Sequence, residues 1–222
     1  MAIMKFGMLC RAGIFVLAVS SAGCTVEPAT QALLDAYRLS GGGAETQAGG
    51  LNPRLSYLRV QVGERELFLA LGYVDQLADG PVQVWYSGDG DVLRLRDGRV
   101  VGLITKYGPD WLGVSFARLP RWGALGDQAE FERVRDARPG YRYGIREKML
   151  IRRIAPPDDT QLRLMPSSSL AWFEETVRGD SDIPAARYAV GADGHVVYAE
   201  QCLSNEFCFS WQSWPSSGKE AH

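Results

Sequence analysis

Histidine is scarce in this chain, with two in 222 residues, and only His195 precedes the last few residues. A Ser-His-Asp triad would need that residue beside a positioned serine, and no Gly-x-Ser-x-Gly elbow occurs. Cysteine is almost as rare, at four, and two cysteines with one neighbouring histidine make a poor zinc site. No apolar run is long enough to cross a bilayer. The longest, residues 12–19, would span roughly 12 Å as a helix against a hydrocarbon layer of about 30 Å. There is no excess of positive charge, since 24 Lys and Arg face 26 Asp and Glu, which argues against general nucleic-acid binding. No exact internal repeat is visible.

What is present begins at the N-terminus. Lys5 and Arg11 form a positive region, Ile14-Phe15-Val16-Leu17-Ala18-Val19 an apolar core, and Ser20-Ser21-Ala22-Gly23 a small-residue approach to Cys24. This reads as a cleaved bacterial lipoprotein signal over residues 1–23, with Cys24 as the acylated first residue of the mature chain. Two or three acyl chains hold a protein stably on a membrane, whereas one binds marginally. Ser21 stands where such signals usually carry an aliphatic residue. Ser20-Ser21-Ala22 also fits an ordinary signal-peptidase site, which would leave a soluble periplasmic protein. Thr25, in place of Asp, favours sorting to the outer membrane. Removing the signal leaves 22 basic against 26 acidic residues, a net charge of −4.

Cys10 leaves with the signal and Cys24 is lipidated, so Cys202 and Cys208 are left to pair in an oxidising periplasm. The residues on either side alternate like strands, and 203–207 read as a hairpin loop that the disulfide staples.

Residues 24–50 are read as the lipidated end, a short helix over 28–37 and a Gly-rich linker. Residues 51–214 form a single β-rich domain, and 215–222 a disordered tail. Strands are expected at 55–62, 65–74, 82–86 and 92–96. Asp97-Gly98 supplies a two-residue turn into 99–104, because both residues tolerate left-handed backbone angles. Further strands are expected at 111–119, 131–136, 141–154, 162–165 and 186–190, and in the stapled hairpin. Residues 170–177 are ambiguous between a strand and a short helix capped at Ser167 to Ser169. Asp193-Gly194 is a second tight-turn signal. The fold class is mainly β: a meandering antiparallel sheet forming a sandwich or an incomplete barrel, with the short N-terminal helix.

The order Tyr57-Leu58-Arg59-Val60, Gly63-Glu64-Arg65 and Leu67-Phe68-Leu69-Ala70-Leu71-Gly72-Tyr73-Val74-Asp75, followed by the hairpin around Asp97-Gly98-Arg99-Val100-Val101, resembles the YjbF/GfcB family, the group 4 capsule polysaccharide lipoproteins. The resemblance implies an outer-membrane lipoprotein that works beside exopolysaccharide or capsule export components, among them an outer-membrane β-barrel and a periplasmic partner. It carries over no catalytic residues.

Three constellations remain. Ser87-Gly88-Asp89-Gly90-Asp91 places two carboxylates two positions apart, but an EF-hand count from Asp89 puts Arg94 and Val100 where glycine and glutamate are required, so it reads as a polar hairpin turn. Glu174 and Glu175 are adjacent in sequence and, in a strand, face opposite sides. From Arg133 to Arg153 eight basic residues (Arg133, Arg135, Arg138, Arg142, Arg146, Lys148, Arg152, Arg153) stand against Asp136 and Glu147, a local charge of +6. Either this is a solvated strand face, or Arg142, Tyr143, Arg146, Lys148 and Arg152 contact an anionic polysaccharide or lipid headgroups.

The expected function is that of a non-enzymatic, cofactor-free lipoprotein on the periplasmic face of the outer membrane that assists exopolysaccharide or capsule assembly and export. The alternative is a periplasmic carrier holding a lipid or lipid-linked ligand in a curved-sheet groove; a hydrolase ranks third.

Overall fold

The computed structural model describes residues 50–215, apart from 107 and 139. The signal, Cys24, the helix expected at 28–37 and the tail after residue 215 lie outside the described residues. Twelve strands follow in sequence: β1 Tyr57–Val62, β2 Arg65–Leu77, β3 Gly80–Tyr86, β4 Val92–Arg96, β5 Arg99–Ile104, β6 Asp110–Ala117, β7 Gln128–Arg138, β8 Arg142–Ile154, β9 Ala171–Val177, β10 Ala186–Val190, β11 Val196–Cys202 and β12 Cys208–Trp214. Each pairs antiparallel with its neighbours in the chain. β12 then pairs with β1, Tyr57 opposite Trp214 and Val60 opposite Trp211, so the sheet is a closed barrel. The expectation of a sandwich or an incomplete barrel is therefore corrected. Alternation along each strand reports which side is buried, and a sandwich and a barrel produce the same alternation; only the pairing of the first strand with the last separates them.

Closure depends on local breaks in regularity. Register shifts interrupt the β2–β3 ladder at Leu71/Tyr73, β4–β5 at Arg94/Leu95, β6–β7 at Trp111/Gly113 and β7–β8 at Arg135/Ala137; the extra residues fall in β2, β5, β6 and β8, and each such bulge bends and twists the strand that carries it. The Asp97-Gly98 turn forms as expected, with φ of 51° and 77° and Arg96 facing Arg99. A Cβ on Gly98 would stand 2.6 Å from Val196. Asp193-Gly194 instead lies inside a five-residue loop between Val190 and Val196, where Gly191 donates to the His195 carbonyl and the His195 amide donates to Asp193 Oδ1 at 3.0 Å. Residues 170–177 resolve as β9, preceded by a 3-10 turn at Ser167–Ser169. The strand expected at 162–165 is not formed: that segment runs over the barrel's outer face, bonded through Arg163 to Gln212 and through Gln161 to Tyr198.

Inside, an apolar core is drawn from every strand, including Leu58, Leu69, Leu93, Ile151, Phe173 and Trp211, and it surrounds a few buried charged side chains such as Arg99 and Glu175. Outside, the strands carry Arg94, Glu130, Glu132, Arg146, Lys148, Arg152, Glu174 and Arg187, with acid–base pairs such as Arg152–Glu174 and Arg94–Asp75. A membrane-spanning barrel requires the opposite, an apolar outer band about 25 Å tall. Two outer patches are nonetheless covered. Leu51 and Leu55 pack on Tyr57, Phe68 and Ala70. Leu162 and Leu170 pack on Trp172, Ala189 and Tyr198, and the same segment accepts a hydrogen bond at Gln161 from the buried Arg59.

Candidate functional site

An up-and-down barrel has two mouths, and its alternating connections divide between them. The disulfide mouth is formed by the β1–β2, β3–β4, β5–β6, β7–β8 and β11–β12 turns, and the N-terminal mouth by the β2–β3, β4–β5, β6–β7 and β10–β11 connections with both chain ends. Each opens into a cavity. At the disulfide mouth it measures about 1110 Å³ and is walled by apolar side chains such as Val60, Leu67, Leu103, Trp111, Phe207 and Phe209, with Arg65, Lys106 and Arg142 at its rim. Cys202 and Cys208 are bonded here and face each other in register, which fixes the loop bearing Leu203 and Phe207. Trp111 Nε1 donates to the Leu203 carbonyl at 3.2 Å and ties that loop to β6.

The cavity at the N-terminal mouth measures about 1340 Å³, with Trp85, Trp122 and Trp211 at its base and Leu55, Val74 and Leu119 toward the opening. Trp122 is held by its Nε1 donating to the Asp97 carbonyl at 2.9 Å.

Between the cavities lies a belt of buried charge that composition alone did not announce. Arg99 Nε donates to Glu175 Oε1 at 2.5 Å, and both side chains are almost wholly buried. The Arg99 guanidinium lies 3.8 Å from the Trp122 ring centre, a desolvated cation–π contact. Across the interior, Arg133 and Arg135 both bind Glu147, at 2.6 and 2.8 Å, and both lie over Trp111. Burial pushes Glu147 up, but the hydrogen bonds from Arg135 and Arg133 and their charges outweigh it and hold its carboxyl below the ordinary value. Burial, with the Glu175 charge beside it, raises Tyr188 well above the usual phenol range. Tyr188 donates to Gln201 Oε1 at 3.2 Å, and Gln201 also accepts from the Val100 amide. A void of about 20 Å³ remains among Arg99, Arg133, Glu175 and Tyr188, room for about one water.

The basic run of β7 and β8 is thus divided. Arg133 and Arg135 turn inward to the belt, Arg138 pairs with Asp110, and Arg152 is held by Glu174 at 2.6 Å. Arg142 lines the cavity at the disulfide mouth. Arg146 and Lys148 border a separate outer cleft with Arg178, Asp180 and Asp182. Tyr143 is exposed. Strand parity was the available signal: in β7, Phe131, Arg133, Arg135 and Ala137 share one face and are buried together. Glu174 and Glu175 do face opposite ways, to Arg152 outside and Arg99 inside. Asp89 is taken by Arg65, and Asp91 bonds Ser87 and the Lys106 amide.

No family model matches the chain, and no curated protein matches it. The fold has a solved counterpart. The crystal structure of the hypothetical lipoprotein YmcC from Escherichia coli K12 matches with a TM-score of 0.60 and 17% identity, over 87% of this chain and 96% of that one. At this identity the likeness is one of fold. It spans nearly all of the other chain, so the path of the strands is common to both.

Proposed function

We propose that this protein is a lipoprotein acylated at Cys24, held on the periplasmic face of the outer membrane, and that it serves exopolysaccharide or capsule export as a non-enzymatic accessory factor of the YjbF/GfcB kind. The observation that carries the reading is the pairing of a signal-like run ending in Cys24 with a fold like that of a hypothetical lipoprotein. The absence of catalysis is supported by the belt, where Glu147 and Glu175 are each spent on arginine. The domain would dock export proteins, or the polymer itself, at the membrane.

The test is intact mass and membrane fractionation of the native protein beside Cys24→Ala. The mass of two or three acyl chains with outer-membrane recovery, both lost in the variant, supports the anchor. An unacylated periplasmic protein beginning near Gly23 sinks it. Capture of export components by the acylated protein, and loss of surface polymer on deletion, then test the role.

A second reading is favoured by one observation, the apolar cavity of about 1110 Å³ at the disulfide mouth. Apolar walls with a few polar groups at the rim suit an amphiphile, and the protein would then carry a lipid or lipid-linked ligand. Native mass spectrometry of the purified protein decides: a co-purifying lipid displaced by Leu103→Asp supports the carrier, and an empty cavity does not.

A further inference from the structure

The two mouths differ in how they stand relative to Cys24. β1 begins at the N-terminal mouth, and Leu51, where the described chain enters, packs beside it on Tyr57, Phe68 and Ala70. Twenty-six residues separate Cys24 from Leu51. The 13-residue strands β2 and β8 would each span about 43 Å at roughly 3.3 Å per residue. An anchor at Cys24 therefore joins the barrel at its N-terminal mouth, and the disulfide mouth lies at the opposite end of the strands.

The surface around that mouth suits such a neighbour. The β2–β3 hairpin leaves Tyr73, Val74 and Leu77 exposed, Leu77 at 45%. Arg54, Arg118 and Arg121 are exposed there and form no ion pair among the described residues. Of the acidic groups of the same rim, Asp79 pairs with Arg96 and Asp97 with Arg99, while Asp127 and Asp193 form no ion pair among the described residues. Asp193 faces His195 through its amide. Apolar side chains beside three exposed arginines outside any ion pair match the boundary between acyl chains and anionic headgroups, where each basic residue near the surface adds to binding.

We propose that the N-terminal mouth lies against an anionic lipid surface, with Val74 and Leu77 entering the headgroup layer and Arg54, Arg118 and Arg121 meeting lipid phosphates, so that the disulfide mouth faces away. This rests on acylation of Cys24 and adds the orientation. The cavity behind Val74 would then open onto the bilayer.

The test uses the mature acylated protein in phosphatidylglycerol-rich vesicles. Leu77→Cys and Tyr143→Cys are each labelled with an environment-sensitive fluorophore, the Cys202–Cys208 bond leaving one free thiol per variant, and circular dichroism checks the fold. A blue shift and quenching by brominated lipid at position 77 but not at 143 is expected, both lost with Arg118→Glu and Arg121→Glu. A response at 143 with silence at 77, or silence at both in a protein carrying its acyl mass, overturns the orientation and leaves the anchor standing. A mass without acyl chains overturns both.

Discussion

At the residue scale the barrel's most expensive feature is its buried charge. Taking Arg99 and Glu175 out of water is repaid chiefly by their mutual contact and by the Trp122 face, with Asp97 a more distant partner of Arg99 at 3.6 Å, so removing one partner leaves the other buried without its main counter-charge. Glu175→Ala should destabilise the fold by roughly 3–5 kcal/mol, read as a lowered denaturant midpoint. Arg99→Met with Glu175→Leu should recover most of that loss, because an apolar pair needs no compensation; a double variant as unstable as the single would show that the pair organises the belt beyond its own contact. The neighbouring carboxylate gives a pH test. Glu147 is held below its ordinary value of 4.5 by Arg135 and Arg133 against the opposing effect of burial. A depressed folded-state value contributes stability above the unfolded value, and that stability is lost as pH falls through the folded one. Asp97 and Glu200, both raised mainly by burial, act in the opposite direction and gain as they protonate. Glu147→Gln should therefore melt below the native protein at pH 7, with the difference between the two melting temperatures shrinking as pH falls from the ordinary carboxylate value of 4.5 through the lower folded-state one. Parallel curves over that range would show that Glu147 does not supply the acid sensitivity.

Elements carry the features that were readable before any coordinates. Asp97-Gly98 announced a two-residue turn because both of its backbone angles are left-handed, and the structure places it between β4 and β5 with Val196 packed against the missing Cβ. The Cys202–Cys208 hairpin followed from elimination among four cysteines and from the alternation on either side. Replacing both cysteines with serine should cost about 2 kcal/mol, the chain entropy of so short a loop, and should loosen Leu203 and Phe207 at the cavity mouth; an unchanged midpoint would mean that the Trp111–Leu203 hydrogen bond already fixes the loop. Less legible were segments whose conformation depends on what they cover. Residues 162–165 alternate like a strand, yet Gln161 and Arg163 tie the segment down as a strap over β9 to β12, because Tyr198 accepts from the Gln161 amide and Gln212 from the Arg163 amide. The basic run of β7 and β8 was visible as composition, but its split between the interior and the outer surface was set by strand parity, which runs unbroken through Phe131, Arg133, Arg135 and Ala137 of β7 and which composition does not record.

At the scale of the whole molecule the decisive contact is the one most remote in sequence, β1 on β12, and nothing local to either strand announces it. A closed sheet has no free edge, so its stability is limited by its weakest seam. The β7–β8 pair holds register from Gln128 opposite Arg152 to Ala137 opposite Arg142. Between β5 and β6 the register is carried by Leu103 opposite Trp111, beside a turn where Thr105 and Asp110 bond each other through the Thr105 amide rather than through the ladder. That seam borders the cavity at the disulfide mouth, since Leu103 and Trp111 both line it. Local opening follows the density of backbone pairing. Hydrogen exchange should thus be fastest, among the strand amides, along the facing sides of Arg99–Ile104 and Asp110–Ala117, and slowest in β7 and β8. A bound amphiphile in that cavity should slow exchange at β5 and β6 specifically, because it bridges Leu103, Trp111 and Phe209 across the seam. Uniform exchange around the barrel would show instead that closure is cooperative, with the β1–β12 joint and the β5–β6 seam opening together.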